Sequence, residues 1–264
     1  MERSTYGDLI GAAIAAAQQA GEEILAVYGT GFTVEQKEDR SPLTEADKRA
    51  HAAIVKALAG TGLPILSEEG REIPLAERQG WEHYWLVDPL DGTKEFIKRN
   101  GEFTVNIALI ESAEPTLGVV HAPALDYTIW GQRGVGAALR EGNEDIGVQT
   151  RRPAIAPLRV AASRSHLDDK TAAAIARMGD TERRGMGSSL KFCKIAEGST
   201  DVYLRFGPTS EWDTAAGQCV LEAAGGVVLG MDGQPFRYGR KESLLNPEFL
   251  ALGDADLPWR DWLA

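Results

Sequence analysis

The chain has 264 residues, 43% of them hydrophobic, and a formal net charge of -11 from 28 Lys and Arg against 39 Asp and Glu. That length and apolar content suffice for one large domain or two modest ones. The acidic balance excludes a surface that wraps polymeric nucleic acid, which needs clustered Lys and Arg. A small phosphorylated ligand remains open, because bound cations can supply a local positive focus. Cys193 and Cys219 form neither a CxxC pair nor a zinc spacing and are expected reduced and buried. Residues 1–6 are polar and no apolar run approaches the ~20 residues of a membrane span, so no signal peptide or transmembrane segment is expected and the cytoplasm is the expected compartment.

Along the chain, Leu9, Ile10, Ala13, Ile14, Ala17, Ile24 and Leu25 recur at helical spacing and predict a long amphipathic helix over 8–28, stopped by Gly29 and Gly31. Residues 32–37 read as a strand. Ser41-Pro42-Leu43-Thr44 then leads into a helix over 45–59, with Thr44 as N-cap and Asp47 as the reciprocal acid of a capping box. Pro64-Ile65-Leu66 is a short strand that ends at Ser67-Glu68-Glu69-Gly70, and the polar residues 71–80 read as a loop. A buried strand over 84–87 stops at Asp88-Pro89. Segments 103–110, 116–121 and 127–132 follow as strands of a largely antiparallel meander. The polar stretch 141–157, with two prolines, predicts a boundary between an α+β domain over 1–155 and an α/β domain over 156–264. In the second half, strands over 158–162, 201–206 and 227–229 alternate with helices over 169–178, 190–197 and 214–224.

Four acids sit where a strand ends or a helix begins: Glu68, Asp88, Asp91 and Asp213. Taken singly, each has an ordinary reading. Asp213 is a helix cap, Asp88 before Pro89 a turn residue, and Glu68 part of a solvated acidic loop. The run Asp88-Pro89-Leu90-Asp91-Gly92 is harder to dismiss, because it projects two carboxylates into one small space. Such a pair repels unless a cation or a proton lies between them, and hard cations such as Mg2+ prefer an all-oxygen site. Gly92 frees the backbone to turn and present N–H groups to phosphate oxygens, and the Thr93 hydroxyl can orient a water. The P-loop pattern and HExxH are both absent, which removes nucleoside-triphosphate hydrolysis by that route and zinc proteolysis.

The runs 88–96 (DPLDGTKEF) and 212–217 (WDTAAG) resemble the two motifs of the inositol-monophosphatase superfamily of lithium-sensitive, magnesium-dependent phosphatases, and the resemblance extends from the first helix to Gly226. It implies a layered αβαβα sandwich. It also implies two or three Mg2+ ions, one held by Glu68, Asp88 and the Leu90 carbonyl, another by Asp88, Asp91 and Asp213. Asp47 and Thr93 resemble the family's water-activating pair, which puts the capping role of Asp47 second. Within the superfamily, 67–70, 88–110 and 207–217 look like the bisphosphate nucleotidase branch. That branch implies substrate contacts from Asp91, Gly92, Thr93, His166, Ser188, Lys191, Arg205 and Asp213.

Arg205 carries most of the substrate argument. In inositol-preferring relatives a carboxylate stands at the similar position, which suits sugar hydroxyls, whereas an Arg fork suits a second phosphate. The resemblance therefore implies adenosine 3',5'-bisphosphate, cleaved to AMP in the context of sulfate assimilation, with its sulfated relative as a second substrate. The alternatives are an inositol or sugar monophosphatase on the same scaffold and a non-catalytic, Mg2+-dependent nucleotide sensor. Branch members are also associated with the cytoplasmic face of the inner membrane, and no basic amphipathic helix in this sequence supports that placement.

Overall fold

The computed structural model describes residues 3–36, 42–162 and 168–263. The N-terminal half opens with α1 (Arg3–Tyr28), the short pair β1 (Val34–Gln36) and β2 (Pro42–Thr44), and α2 (Glu45–Leu58). A seven-stranded sheet follows, from β3 (Ile65–Ser67), β4 (His83–Asp91), β5 (Thr104–Glu111), β6 (Glu114–Ala122), β7 (Tyr127–Gln132), β8 (Gly136–Glu141) and β9 (Glu144–Val148), with α3 (Leu75–Arg78) and α4 (Thr93–Ile97) in its connections. Neighbours in this sheet are sequential, and every pairing is antiparallel except β3 with β4.

The C-terminal half supplies β10 (Leu158–Ala162), α5 (Asp169–Arg177), β11 (Thr181–Gly185), α6 (Leu190–Ala196), β12 (Val202–Arg205), α7 (Glu211–Ala223), β13 (Val227–Gly230), β14 (Phe249–Leu252) and α8 (Trp259–Trp262). Its five strands run in the order β11-β10-β12-β14-β13, parallel around β10 and antiparallel around β14.

Strand alternation explains the layering, since successive side chains leave opposite faces. Along β5, Val105, Ile107 and Leu109 pack outward against Ala13, Ile14 and Ala17 of α1 and Ala50 and Ile54 of α2. Ala108 and Ile110 face inward, toward Phe192 of α6 and Ala215, Ala216 and Val220 of α7, where Ala161, Tyr203 and Phe249 of the small sheet also arrive. On that sheet's far face Val160, Val202, Leu204 and Leu250 meet Ile175 of α5 and Trp259 and Trp262 of α8. The order is helices, large sheet, helices, small sheet, helices: an αβαβα sandwich. Its central layer is thin where it matters. A Cβ at Gly118 would lie 2.5 Å from the Ala216 carbonyl oxygen, and one at Gly131 would lie 2.6 Å from Val220 Cα. These two glycines let the α7 backbone rest directly on the large sheet.

The structure adds elements that the pattern did not announce. The first helix begins at Arg3 rather than residue 8, and the strand expected over 32–37 is confined to Val34–Gln36 among the described residues. The segment expected as a polar loop over 71–80 contains α3, and 141–157 contains all of β9. The edge strands β9 and β11 are mostly exposed and polar, so they carry no apolar alternation to read. Both cysteines are free and buried, and no helix among the described residues is long and apolar enough to cross a membrane.

Candidate active site

The site forms where the C-terminal end of β4 meets the first turns of α2, α4, α6 and α7. Asp91 stands three positions after Asp88, a step that in a regular strand would send their side chains to opposite faces. The pairing with β5 shows why it does not. Asp88 lies opposite Asn106 and Asp91 opposite Thr104, three steps against two, so the strand bulges at Pro89-Leu90. The bulge returns Asp91 to the inner face beside Asp88, and it corrects the expectation of a turn there. Proline is tolerated because a bulge needs no ladder hydrogen bond at that point.

Asp213 reaches the same spot from the first turn of α7, and one carboxylate oxygen from each of Asp88, Asp91 and Asp213 lies within 4.8 Å of the others. Glu68 follows β3, and its backbone N–H donates to the Val87 carbonyl at 3.1 Å. Burial, then the charges of Glu68, Asp91 and Asp213, push the Asp88 carboxyl well above the usual carboxylate range. Burial, then Asp91, push Asp213 up to about 8.

Among the described residues, the donors that reach these three aspartates are neutral. Leu90 N–H donates to Asp88 at 3.0 Å, Ser189 Oγ reaches Asp91 at 2.8 Å, and Ser210 N–H donates to Asp213 at 2.8 Å. Crowded, desolvated carboxylates with only neutral donors are a fit for a hard divalent cation, which would remove the repulsion that raises their pKa values.

Asp47 and Asp213 each reconcile two readings. Asp47 is 2% exposed. Its Oδ2 accepts from the Thr44 N–H at 2.7 Å and the Thr44 hydroxyl at 2.6 Å, completing the capping box of α2. Its Oδ1 accepts from Thr93 Oγ1 at 3.3 Å, and the same hydroxyl lies 3.4 Å from the Leu90 carbonyl oxygen. One oxygen caps the helix and the other faces the site. Asp213 repeats the arrangement, with Oδ2 capping α7 through Ser210. Gly92 carries φ 91, and a Cβ there would press 3.3 Å from both the Glu102 carbonyl oxygen and Ser188 Cβ, so only glycine admits this approach.

A cavity of about 340 Å³ opens beside Asp91 and Asp213. Ser188, Lys191 and Arg205 line it, and so do Lys94 of α4 and Lys98 just past its end, which the motif reading passed over. Lys94 and Lys98 stand four apart on one helix face, a spacing visible in the sequence once α4 is placed. Lys191 is buried, which pulls its ammonium down to about 8, and its Nζ donates to the Ser188 carbonyl at 2.6 Å. Arg205 Nη2 donates to the Pro208 carbonyl at 3.2 Å, while its buried Nε has no partner among the described residues. Ser189, Asn106 and Tyr203 also belong to this region and had no motif to announce them. His166 lies outside the described residues.

This fold has known counterparts. The chain belongs to the inositol monophosphatase family, whose model matches residues 6–255. Within it, the chain is 48% identical over 241 residues to the 3'(2'),5'-bisphosphate nucleotidase CysQ of Salmonella typhimurium, covering 88% of this chain and 95% of that one. It is 47% identical over 243 residues to the protein of that name from Escherichia coli strain K12, with the same coverage. Among solved structures, CysQ from Bacteroides thetaiotaomicron, described as a bacterial member of the inositol monophosphatase family, superposes with a TM-score of 0.82 at 44% identity, covering 93% of this chain and 97% of that one.

Proposed function

We propose that the chain is a Mg2+-dependent 3'(2'),5'-bisphosphate nucleotidase that hydrolyses adenosine 3',5'-bisphosphate to AMP and phosphate, clearing the bisphosphate left by sulfate assimilation, with its sulfated relative as a second substrate. The observation that carries this reading is the meeting of two opposite charge sets at one cavity. Asp91 and Asp213 of the acidic cluster line it together with Lys94, Lys98, Lys191 and Arg205, and Glu95 and Asp168 are the other charged residues of its wall. A substrate with one phosphate to cleave and another to anchor matches that layout. An inositol monophosphate would leave Arg205 unused.

Two or three Mg2+ ions would be held by Glu68, Asp88, the Leu90 carbonyl, Asp91 and Asp213, and would supply charge for the phosphoryl oxygens and a lowered pKa for the attacking water. Asp47, fixed by its cap, accepts the Thr93 proton, which leaves the Thr93 oxygen free to accept from a water and aim it at phosphorus. As the water oxygen bonds to phosphorus the bond to the ribose 3' oxygen breaks, and that oxygen leaves with a proton as the 3' hydroxyl. Backbone N–H groups at Gly92 and Thr93 cradle the scissile phosphate, while Ser188, Lys191, Arg205 and His166 take the nucleotide and its 5' phosphate. A division near residue 155 would then part the β4 carboxylates from Asp213, Lys191 and Arg205.

Phosphate release from adenosine 3',5'-bisphosphate, AMP and inositol 1-phosphate, with and without Mg2+, tests the reading. Release from the bisphosphate alone, and only with Mg2+, is expected. Preference for inositol 1-phosphate would make the chain a monophosphatase. Nucleotide binding without any phosphate release would make it a sensor.

A further inference from the structure

The turn that opens α6 does something its motif reading did not assign. Ser188 has φ 44, the left-handed region in which a non-glycine residue is strained. The strain is held from within α6, because the buried Lys191 ammonium donates to the Ser188 carbonyl at 2.6 Å. What the turn delivers is the next residue. Ser189 is 1% exposed, and its Oγ lies 2.8 Å from Asp91 Oδ2 and 2.8 Å from the Asp213 carbonyl oxygen. From the other side it accepts from Asn106 Nδ2 at 2.9 Å. Asn106 is itself oriented by Thr104, whose hydroxyl donates to Asn106 Oδ1 at 3.1 Å. Since the Asn106 amide is the donor, the single Ser189 proton is shared between Asp91 Oδ2 and the Asp213 carbonyl oxygen.

We propose that Ser189, oriented by Asn106, is a positioning residue that fixes the Asp91 carboxylate and ties the first turn of α7 to it, so that Asp91 and Asp213 meet a cation in one geometry. The two aspartates come from a strand and a helix in different halves of the chain, β4 and α7, 122 residues apart by their numbers in the sequence, and Ser189 is a hydroxyl bonded to both residues. Its bond occupies Asp91 Oδ2 and orients the carboxylate within the cluster. A hydroxyl in this place also adds no charge of its own, whereas a lysine would compete with the cation. Groups that orient a metal ligand in this way typically change metal affinity by about 10- to 100-fold when removed.

The inference rests on the proposed cation site, and the experiment keeps the two apart. Mn2+ binding is titrated by electron paramagnetic resonance in the full chain and in Ser189→Ala, with metal-free thermal melts and adenosine 3',5'-bisphosphate kinetics alongside. The expected result is a rise of about tenfold in the Mn2+ dissociation constant for Ser189→Ala, a comparable fall in kcat at limiting metal, and little change in KM at saturating metal. Ser189→Thr, which retains the hydroxyl, is expected to recover most of the affinity. A merely structural serine would lower the metal-free melting temperature and leave the dissociation constant alone. Unchanged affinity in Ser189→Ala overturns the proposal. Should that variant fail to fold, Asn106→Ala, which removes the orienting amide from β5, is titrated with the same criterion. Failure of the unsubstituted chain to bind Mn2+ would overturn the cation site itself.

Discussion

Arg205→Met is the sharpest test of substrate choice. Methionine keeps an unbranched apolar stem along the cavity wall and deletes the guanidinium. Charge reversal to Glu would be a poorer probe, because the Arg205 charge also reaches Asp213 and acts to lower its pKa, so a carboxylate at 205 would disturb the cation site as well. Among the described residues, the guanidinium bonds the Pro208 carbonyl and leaves its buried Nε unpartnered, which leaves a donor for a ligand. Losing a hydrogen bond to a charged group costs about 1.5–3 kcal/mol. That corresponds to about 10- to 150-fold in kcat/KM for adenosine 3',5'-bisphosphate. Adenosine 3'-monophosphate carries the same scissile group and lacks the 5' phosphate, so its kcat/KM should fall by only about threefold, within the ordinary spread for a lost long-range charge. The measurement is the ratio of the two kcat/KM values in wild type and variant at one ionic strength. An equal fall for both substrates refutes the assignment and makes Arg205 a structural or general electrostatic residue.

Two further outcomes follow from the carboxylates and the hydroxyl. Thr93→Ala should lower kcat by about 100-fold or more with an unchanged circular dichroism spectrum, because the side chain contributes an oriented hydroxyl and little packing; near-normal turnover would remove it from the mechanism. Asp213 titrates near 8 in the folded chain against an ordinary 3.8, so its folded form binds the proton more tightly than its unfolded form. Its ionisation therefore destabilises the metal-free fold above the unfolded value, increasingly so as pH rises toward 8. The metal-free melting temperature should fall between pH 5 and 8, Mg2+ should raise it more at pH 8 than at pH 5.5, and Asp213→Asn should flatten the slope and abolish the Mg2+ effect. Thermal melts across pH check all three, and a Mg2+ shift retained in Asp213→Asn would count against Asp213 as a ligand.

The acids of the site were legible because each occupies a chain position with a physical signature. Asp88 follows a buried apolar run, and Asp47 and Asp213 stand where helices start. Reading Asp47 as either a cap or a site residue posed a false choice, since a carboxylate has two oxygens and the structure uses Oδ2 for the cap and Oδ1 for Thr93. The bulge at Pro89-Leu90 was not legible, because it is a property of the pairing between β4 and β5 rather than of β4 alone. Ser189 and Asn106 were missed for a related reason. Their partners lie 98 and 83 residues away, and neither residue type has a local pattern that announces a distant contact. Strand β14 was overlooked although Phe249, Leu250, Ala251 and Leu252 are all fully buried, since a four-residue apolar run without alternation does not separate strand from helix.

The contact of α7 with the large sheet through Gly118 and Gly131 makes the reach of Asp213 a matter of architecture as well as local chemistry. The atoms that a Cβ would strike are backbone atoms of the same helix whose first turn carries Asp213, so a side chain there can be admitted only by lifting that helix. Gly118→Ala touches neither substrate nor cation, yet it should weaken Mg2+ binding by drawing Asp213 away from Asp88 and Asp91; a Mg2+ titration matching the unsubstituted chain would show instead that the helix yields without moving its first turn. The distance that decides whether three carboxylates can share a cation is thus set partly by two hydrogen atoms, one on β6 and one on β7, where the helix lies on the large sheet.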